Sequence, residues 1–177
     1  NERYGGPLPP IYVAALRNKM LHLAIELAQG ALWANASFEY TSTQIDAIPE
    51  HVLSGGFHLA NMVPTVISED KATAAAVNRK TMSVYVRLPN YRRYWKAAGY
   101  VEEMNAIEEA IAGGNTSDHA HLMSDRWLSD CTLFGSATDV REGFERWRDK
   151  GVEPIAVMSS TSGGQIKAIN ELFAVYS

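Results

Sequence analysis

Residues 10–37 read PIYVAALRNKMLHLAIELAQGALWANAS and divide into a strand, a helix and a second strand. Ile11 to Leu16 is a continuous apolar run of the kind expected for a strand covered on both faces. Arg17, Asn18 and Lys19 form a short polar corner. Met20, Leu21, Leu23, Ala24, Leu27 and Ala28 then recur at helical spacing. Gly30 stands where a helix C-cap belongs, and Ala31 to Ala34 opens a second apolar run. Two buried strands joined by a crossover helix pair in parallel, so the unit predicts an α/β protein.

The polar corner carries the chemistry. Backbone N–H groups at a helix N-terminus are unpaired and bear partial positive charge. Arg17 and Lys19 are therefore disfavoured there by about a few tenths of a kcal/mol each when the corner is empty. A bound anion reverses that sign, and a phosphate is the usual one. The alternative is that both side chains point to water at little cost.

The same stretch resembles the luciferase-like family of flavin- and deazaflavin-dependent oxidoreductases. Members of that family share a segment of the form P-I-Y-x-A-A-x-G-P-K-M-L-x-L-A-G-E-x-A-D-G-x-L-x-N. Pro10, Ile11, Tyr12, Ala14, Ala15, Lys19, Met20 and Leu21 match its first half, and Leu23, Ala24, Glu26, Ala28, Gly30 and Leu32 its second, with Asn35 one residue past the motif's closing Asn. Arg17 and Asn18 replace the usual Gly-Pro, Ile25 replaces a Gly and Gln29 an Asp. The Arg17 replacement adds a charge able to pair with a phosphate. Residues 68–100 are similar to the helical segment after the seventh strand of the family fold, and residues 133–158 to its closing unit.

The family fold is a TIM barrel. The resemblance covers nearly all of this chain but about half of such a barrel. A complete (β/α)8 barrel needs roughly 250 residues, and this chain has 177. Four strand candidates are legible, Ile11 to Leu16, Ala31 to Ala34, Leu59 to Ile67 and Pro154 to Met158. The expected fold is therefore α/β, the C-terminal half (strands five to eight) of a TIM-type barrel. Residues 1–177 form a single partial barrel domain with a helical insertion at about 89–128. A truncated chain, a proteolytic fragment and a split gene product all fit that length.

By this resemblance the chain is an oxidoreductase. It would use flavin mononucleotide or a deazaflavin coenzyme, in reduced form, for monooxygenation or hydride transfer on a small organic substrate. The A-A-x-x-x-K-M pattern of Ala14 to Met20 tilts the reading toward the deazaflavin branch. The resemblance implies that the first corner contacts the cofactor phosphate, which nominates Ala15, Leu16, Arg17, Asn18 and Lys19. It implies that residues after the next strand lie near the cofactor ring, which nominates Asn35. No catalytic acid or base and no metal ligand is assigned. Two alternatives stay open, a non-catalytic cofactor-binding half-barrel and an assembly fragment that needs a partner chain. An open parallel sheet leaves two edges and one face uncovered, so a homo-oligomer or a missing N-terminal half is expected as partner.

Composition bounds the remaining classes. At 46% hydrophobic residues the chain can bury a core. A net charge of −4 argues against a general nucleic-acid or polybasic membrane surface. No apolar run approaches a membrane span. The single cysteine, Cys131, excludes an intrachain disulfide and fits a reducing, cytoplasmic compartment. There is no Ser-His-Asp arrangement, P-loop or Rossmann fingerprint.

Along the rest of the chain, Asn1 to Pro10 reads as an extended lead-in. Thr41 to Leu53 reads as a helix interrupted near Pro49. Ser68 and Thr138 are the expected N-caps of two later helices. Pro89 to Gly99, Val101 to Ala112 and Ser117 to Leu128 are expected helices, and Gln165 to Tyr176 the last. His119 and His121, two residues apart, face different ways on a helix and read as surface residues. Glu102, Glu103, Glu108 and Glu109 read as a solvated helix face. Tyr91, Tyr94 and Trp95, beside Arg92 and Arg93, are assigned to packing in preference to ligand contact. Ser159 to Gly164 reads as a loop, with anion binding at the following helix as the weaker reading.

Overall fold

Parallel pairing sets side chains of register partners on the same face of a sheet, so the pairing alone shows which residues share a surface. A computed structural model describes residues 6, 8–115, 117 and 119–176. It contains the strands β1 (Tyr12–Ala14), β2 (Gly30–Ala34), β3 (His58–Ile67), β4 (Leu133–Gly135) and β5 (Glu153–Ser159), all parallel in one sheet. β1 pairs with β2, β2 with the first half of β3, and β5 with β3 over Ala60 to Val66. The short β4 joins the C-terminal end of β3 at Thr65 to Ile67. Three residues give too little pattern for sequence reading to detect β4, and only four strands are expected from the sequence.

The helices are α1 (Asn18–Leu27), α2 (Phe38–Asp46), α3 (Glu50–Ser54), α4 (Lys71–Tyr85), α5 (Pro89–Ala97), α6 (Val101–Ala112), α7 (Asp125–Cys131), α8 (Ala137–Asp149) and α9 (Gln165–Ala174). α1 packs on β1 and β2, α4 on β3 and β4, α8 on β4 and β5, and α9 on β5. The face they cover carries Ala31, Trp33, Leu59, Asn61, Val63 and Pro154, all buried. The opposite face carries Tyr12, Ala14, His58, Met62, Glu153 and Ile155, all exposed. The expectation of a first strand covered on both faces is thus corrected: β1 is three residues long and covered on one side.

Several local readings change in the same way. Gly30 is not a helix cap. α1 ends at Leu27 with Ala28 as its C-cap, and Gly30 begins β2. A Cβ there would stand 2.5 Å from Cε1 of Tyr12 and 2.6 Å from the carbonyl oxygen of His58, so the position is held by space. Asp70, not Ser68, caps α4 by accepting from the Thr73 N–H at 3.1 Å. Ser136, not Thr138, caps α8, in a reciprocal box with Asp139. The helix expected over 117–128 is a 3-10 turn at Ala120–Leu122 followed by α7. Thr116, Asp118 and most of the lead-in (residues 1–5 and 7) lie outside the described residues.

α5, α6 and α7 form a helical layer with large buried side chains, Tyr94, Trp95, Tyr100, Met104, Ile107 and Trp127. The Trp95 and Trp127 rings meet edge to face at 4.9 Å. Hydrogen bonds clamp this layer to the turn after β2. Trp95 Nε1–H donates to the Asn35 carbonyl (3.2 Å), and the Ser37 N–H donates to the Tyr94 hydroxyl (3.0 Å). Glu108 is no free surface acid: it accepts from Arg92 (3.0 Å) and Lys96 (2.6 Å). Glu103 accepts from the Ser124 hydroxyl at 2.6 Å.

Candidate functional site

The C-terminal ends of β1 and β2, Met62 midway along β3 and the first turn of α5 border a half-open cavity of about 410 Å³. Its floor is apolar, with Ala14, Leu32, Ala34 and Met62 on the open face of the sheet. Ala15, Leu16, Arg17 and Met20 form the side at the β1–α1 corner, and Asn90 and Tyr91 of α5 complete the lining. Three of the nominated residues, Ala15, Leu16 and Arg17, therefore meet in one place.

The corner is built by local hydrogen bonding. The Ala15 N–H donates to the Leu32 carbonyl at 2.9 Å, continuing the β1–β2 ladder. Gln44, buried on α2, donates from Nε2 to the Asn18 side-chain oxygen at 2.7 Å and to the Leu16 carbonyl at 3.4 Å. Asn18 thus has its Oδ1 engaged in holding the turn. Arg17 occupies the N-cap position of α1 in an extended conformation, and its side chain makes no cap. No acid lies in the first turn of α1. Arg17 and Lys19 are exposed, and among the described residues neither has an ion-pair partner. The donor set offered to an anion is therefore a guanidinium, an ammonium and the uncapped N–H groups of a helix start.

Asn35 does not line the cavity. It lies just past β2, 3% exposed, with a positive φ of 55°. Its N–H donates to the Met62 carbonyl at 2.9 Å and its carbonyl accepts from Trp95, while its side-chain nitrogen is buried and, among the described residues, makes no hydrogen bond of ordinary geometry, the nearby Tyr91 hydroxyl being a close polar neighbour. Beside it, burial raises the pKa of the Tyr91 phenol, Tyr85 adds to the rise, and the Asn35 side chain opposes it. Sequence reading did not nominate Ala14, Met20, Leu32, Ala34, Met62, Asn90 or Tyr91, all of which line the cavity. Met62 lies between Asn61 and Val63 in a strand whose apolar and polar residues do not alternate, so the sequence does not show which face it takes. Tyr91 shares its sequence cluster with Tyr94 and Trp95, and of the three only the latter two are fully buried.

The other candidates separate from this cavity. Ser159, Ser160, Gly163 and Gly164 border a second cleft of about 520 Å³ against Val77, Lys80 and Thr81 of α4. The 160–162 turn is closed by its own hydrogen bonds, and Ser162 accepts from Lys167 at 2.7 Å. His58 begins β3, at the end of the sheet away from the cavity. His119 is a correction: it is fully buried, with Nε2 3.0 Å from the Asn115 carbonyl oxygen. His121 is exposed. Among the described residues no three His, Cys, Asp or Glu side chains gather as metal ligands would, and no helix is long and apolar enough to cross a membrane.

The model of the family described as luciferase-like monooxygenase matches residues 2–153. The chain belongs to that family. No curated protein matches the chain. Among solved structures, the coenzyme F420 dependent tetrahydromethanopterin reductase of Methanopyrus kandleri is similar in fold, with a TM-score of 0.68 at 20% identity. The match covers 94% of this chain and 49% of the reductase chain, so this member of the luciferase-like family spans about half the length of that structure. Family membership makes it a relative of oxidoreductases, and the parallel sheet with its helices is the shared α/β fold.

Proposed function

We propose that this chain carries the cofactor corner of a flavin- or deazaflavin-dependent oxidoreductase acting on a small organic molecule. The observation that carries the reading is the cavity at the strand ends, apolar on its floor and bounded at one side by the unpaired Arg17 beside the uncapped start of α1. Arg17, Lys19 and the α1 amides suit a phosphate, and Ala14, Leu32, Ala34 and Met62 suit the flat face of a ring. When bound, such a reduced cofactor supplies hydride or, for a flavin, oxygen activation. The protein's share is to anchor the phosphate, seat the ring and shape the substrate space. A single buried free cysteine accords with a cytoplasmic setting.

The same proposal gives β1, β2, β3 and β5 the places of strands five to eight in a TIM-type barrel. Among the described residues β1 and β5 each have one unpaired edge. Their helices carry exposed apolar stripes at i, i+3, i+7 spacing, Met20, Leu23 and Leu27 on α1, and Ile166, Ile169 and Phe173 on α9. Four more strand–helix units, from an N-terminal half or a second copy, would cover both edges and the open face. The second reading is an assembly fragment without activity of its own, favoured by that uncovered face.

The test is a titration of the chain with flavin mononucleotide and with the deazaflavin coenzyme, followed by absorbance and fluorescence. Arg17→Ala and Lys19→Ala should each weaken binding about tenfold, the scale of a charge-assisted contact. Unchanged affinity in both variants would sink the phosphate corner.

A further inference from the structure

Every side chain lining the cavity is apolar except Arg17 at the β1–α1 corner and Asn90 and Tyr91 at the start of α5. Tyr91 is the better built of the two polar groups on α5. Its ring packs edge-on against Tyr85 at 5.2 Å and lies tilted on Trp95 at 5.3 Å. Trp95 is itself pinned, by its hydrogen bond to the Asn35 carbonyl and by Trp127. The Tyr91 ring is therefore held in place before any ligand arrives, which removes an ordering cost on binding. The Asn35 side chain lies near enough to the Tyr91 hydroxyl to oppose the rise in its pKa, and among the described residues its buried nitrogen makes no hydrogen bond of ordinary geometry to any other group. A hydroxyl oxygen turned toward that nitrogen would accept from it and leave the phenol proton for an acceptor in the cavity.

Taking the cavity as the cofactor site, as proposed above, we infer that Tyr91 contacts the bound ligand and selects a planar ring with a hydrogen-bond acceptor on its edge, with Asn35 as its positioning residue. The helical layer is thereby part of the binding site and more than a cover over it. Ring selection is separate from the Arg17 corner, which reads only the phosphate.

Riboflavin, which has the ring and no phosphate, separates the two. In fluorescence titrations of the full chain, Tyr91→Phe should raise Kd about fivefold for both riboflavin and flavin mononucleotide, the scale of one hydrogen bond. Tyr91→Ala should raise it more, and Asn35→Gly, which tolerates the positive φ, should act like Tyr91→Phe. Tyr91→Phe should leave the thermal midpoint unchanged, because the ring packing is kept. Equal affinities for both ligands in Tyr91→Phe and Tyr91→Ala would overturn this inference alone. A matching fall in thermal midpoint and affinity in Tyr91→Phe would also overturn it, since that is a packing role. No binding by the unaltered chain would overturn it together with the cofactor reading.

Discussion

Tyr12 lies across Gly30: a methyl group on Gly30 would stand 2.5 Å from Tyr12 Cε1. The register sets the two residues side by side on the open face, and Tyr12 reaches on to His58, ring to ring at 6.2 Å. Gly30→Ala is therefore expected to destabilise the chain by about 1–3 kcal/mol, the range of overpacked sites. Adding Tyr12→Ala should recover only part of this, because the His58 carbonyl oxygen is backbone and also 2.6 Å away. Urea midpoints of the two variants check both statements, and a neutral Gly30→Ala would refute the first.

The helical layer hangs on the turn after β2 through few groups. Trp95→Phe leaves the Asn35 carbonyl without its indole donor and should cost about 1–3 kcal/mol for the unpaired group, with a further cavity cost. Hydrogen exchange should locate the loss in residues 89–131 ahead of the sheet. Uniform weakening of the whole chain would show that the layer and sheet do not separate.

Two aspartates at helix starts make stability fall in acid. Hydrogen bonds from Thr73, chiefly its hydroxyl, hold the Asp70 carboxyl below its ordinary value of 3.8, and the Ser136 N–H and hydroxyl do the same for Asp139. A carboxyl whose pKa is lowered on folding contributes stability above its unfolded value and loses it as pH falls through the folded one. The urea midpoint should accordingly drop below about pH 3.8, and an Asp70→Asn, Asp139→Asn double variant should drop less steeply. Parallel curves for the two proteins would contradict this. At neutral pH, Ser136→Ala should cost about 0.5–2 kcal/mol by loss of the cap.

Apolar stripes in water drive association. Ile166 and Phe173 of α9 are 78% and 70% exposed, and Ile155 on the open sheet face is 43% exposed. The chain alone is expected to self-associate, with a light-scattering mass that rises with concentration. Ile166→Ser with Phe173→Ser should reduce that rise while leaving the unfolding midpoint nearly unchanged, since neither side chain is in the core. A monodisperse monomer at all concentrations would count against any docked partner on these surfaces.

Cys131 is fully enclosed, and burial, with Asp130 nearby, pushes its thiol well above the usual range. It should resist a thiol reagent in the folded chain and react once urea unfolds it. Rapid labelling without denaturant would mean that α7 opens readily.

Residues 10–37 were enough to specify a parallel strand–helix–strand unit, because a crossover helix between apolar runs has few other arrangements. The family followed from the same stretch, and Ala15, Leu16 and Arg17 do sit together at one cavity. Helix existence was legible wherever apolar spacing ran for two turns, as in Val101–Ala112. The choice of cap was not. Ser68 and Asp70 are both suitable, and only backbone geometry decides which one meets a free N–H.

What sequence alone determined here is local: periodicity, breakers and a motif, each set by neighbours within a turn or two. What only the tertiary structure decided is which side of each strand faces helices, and what stands above the strand ends. Met62 and Val63 are adjacent and equally apolar, yet one is 37% exposed and the other 1%. The difference comes from pairing register, which sequence spacing does not contain. Tyr91 lines the cavity through long-range contacts of another kind: hydrogen bonds of Trp95 to the Asn35 carbonyl, 60 residues away, and of the Ser37 N–H to the Tyr94 hydroxyl hold α5 at the end of β2.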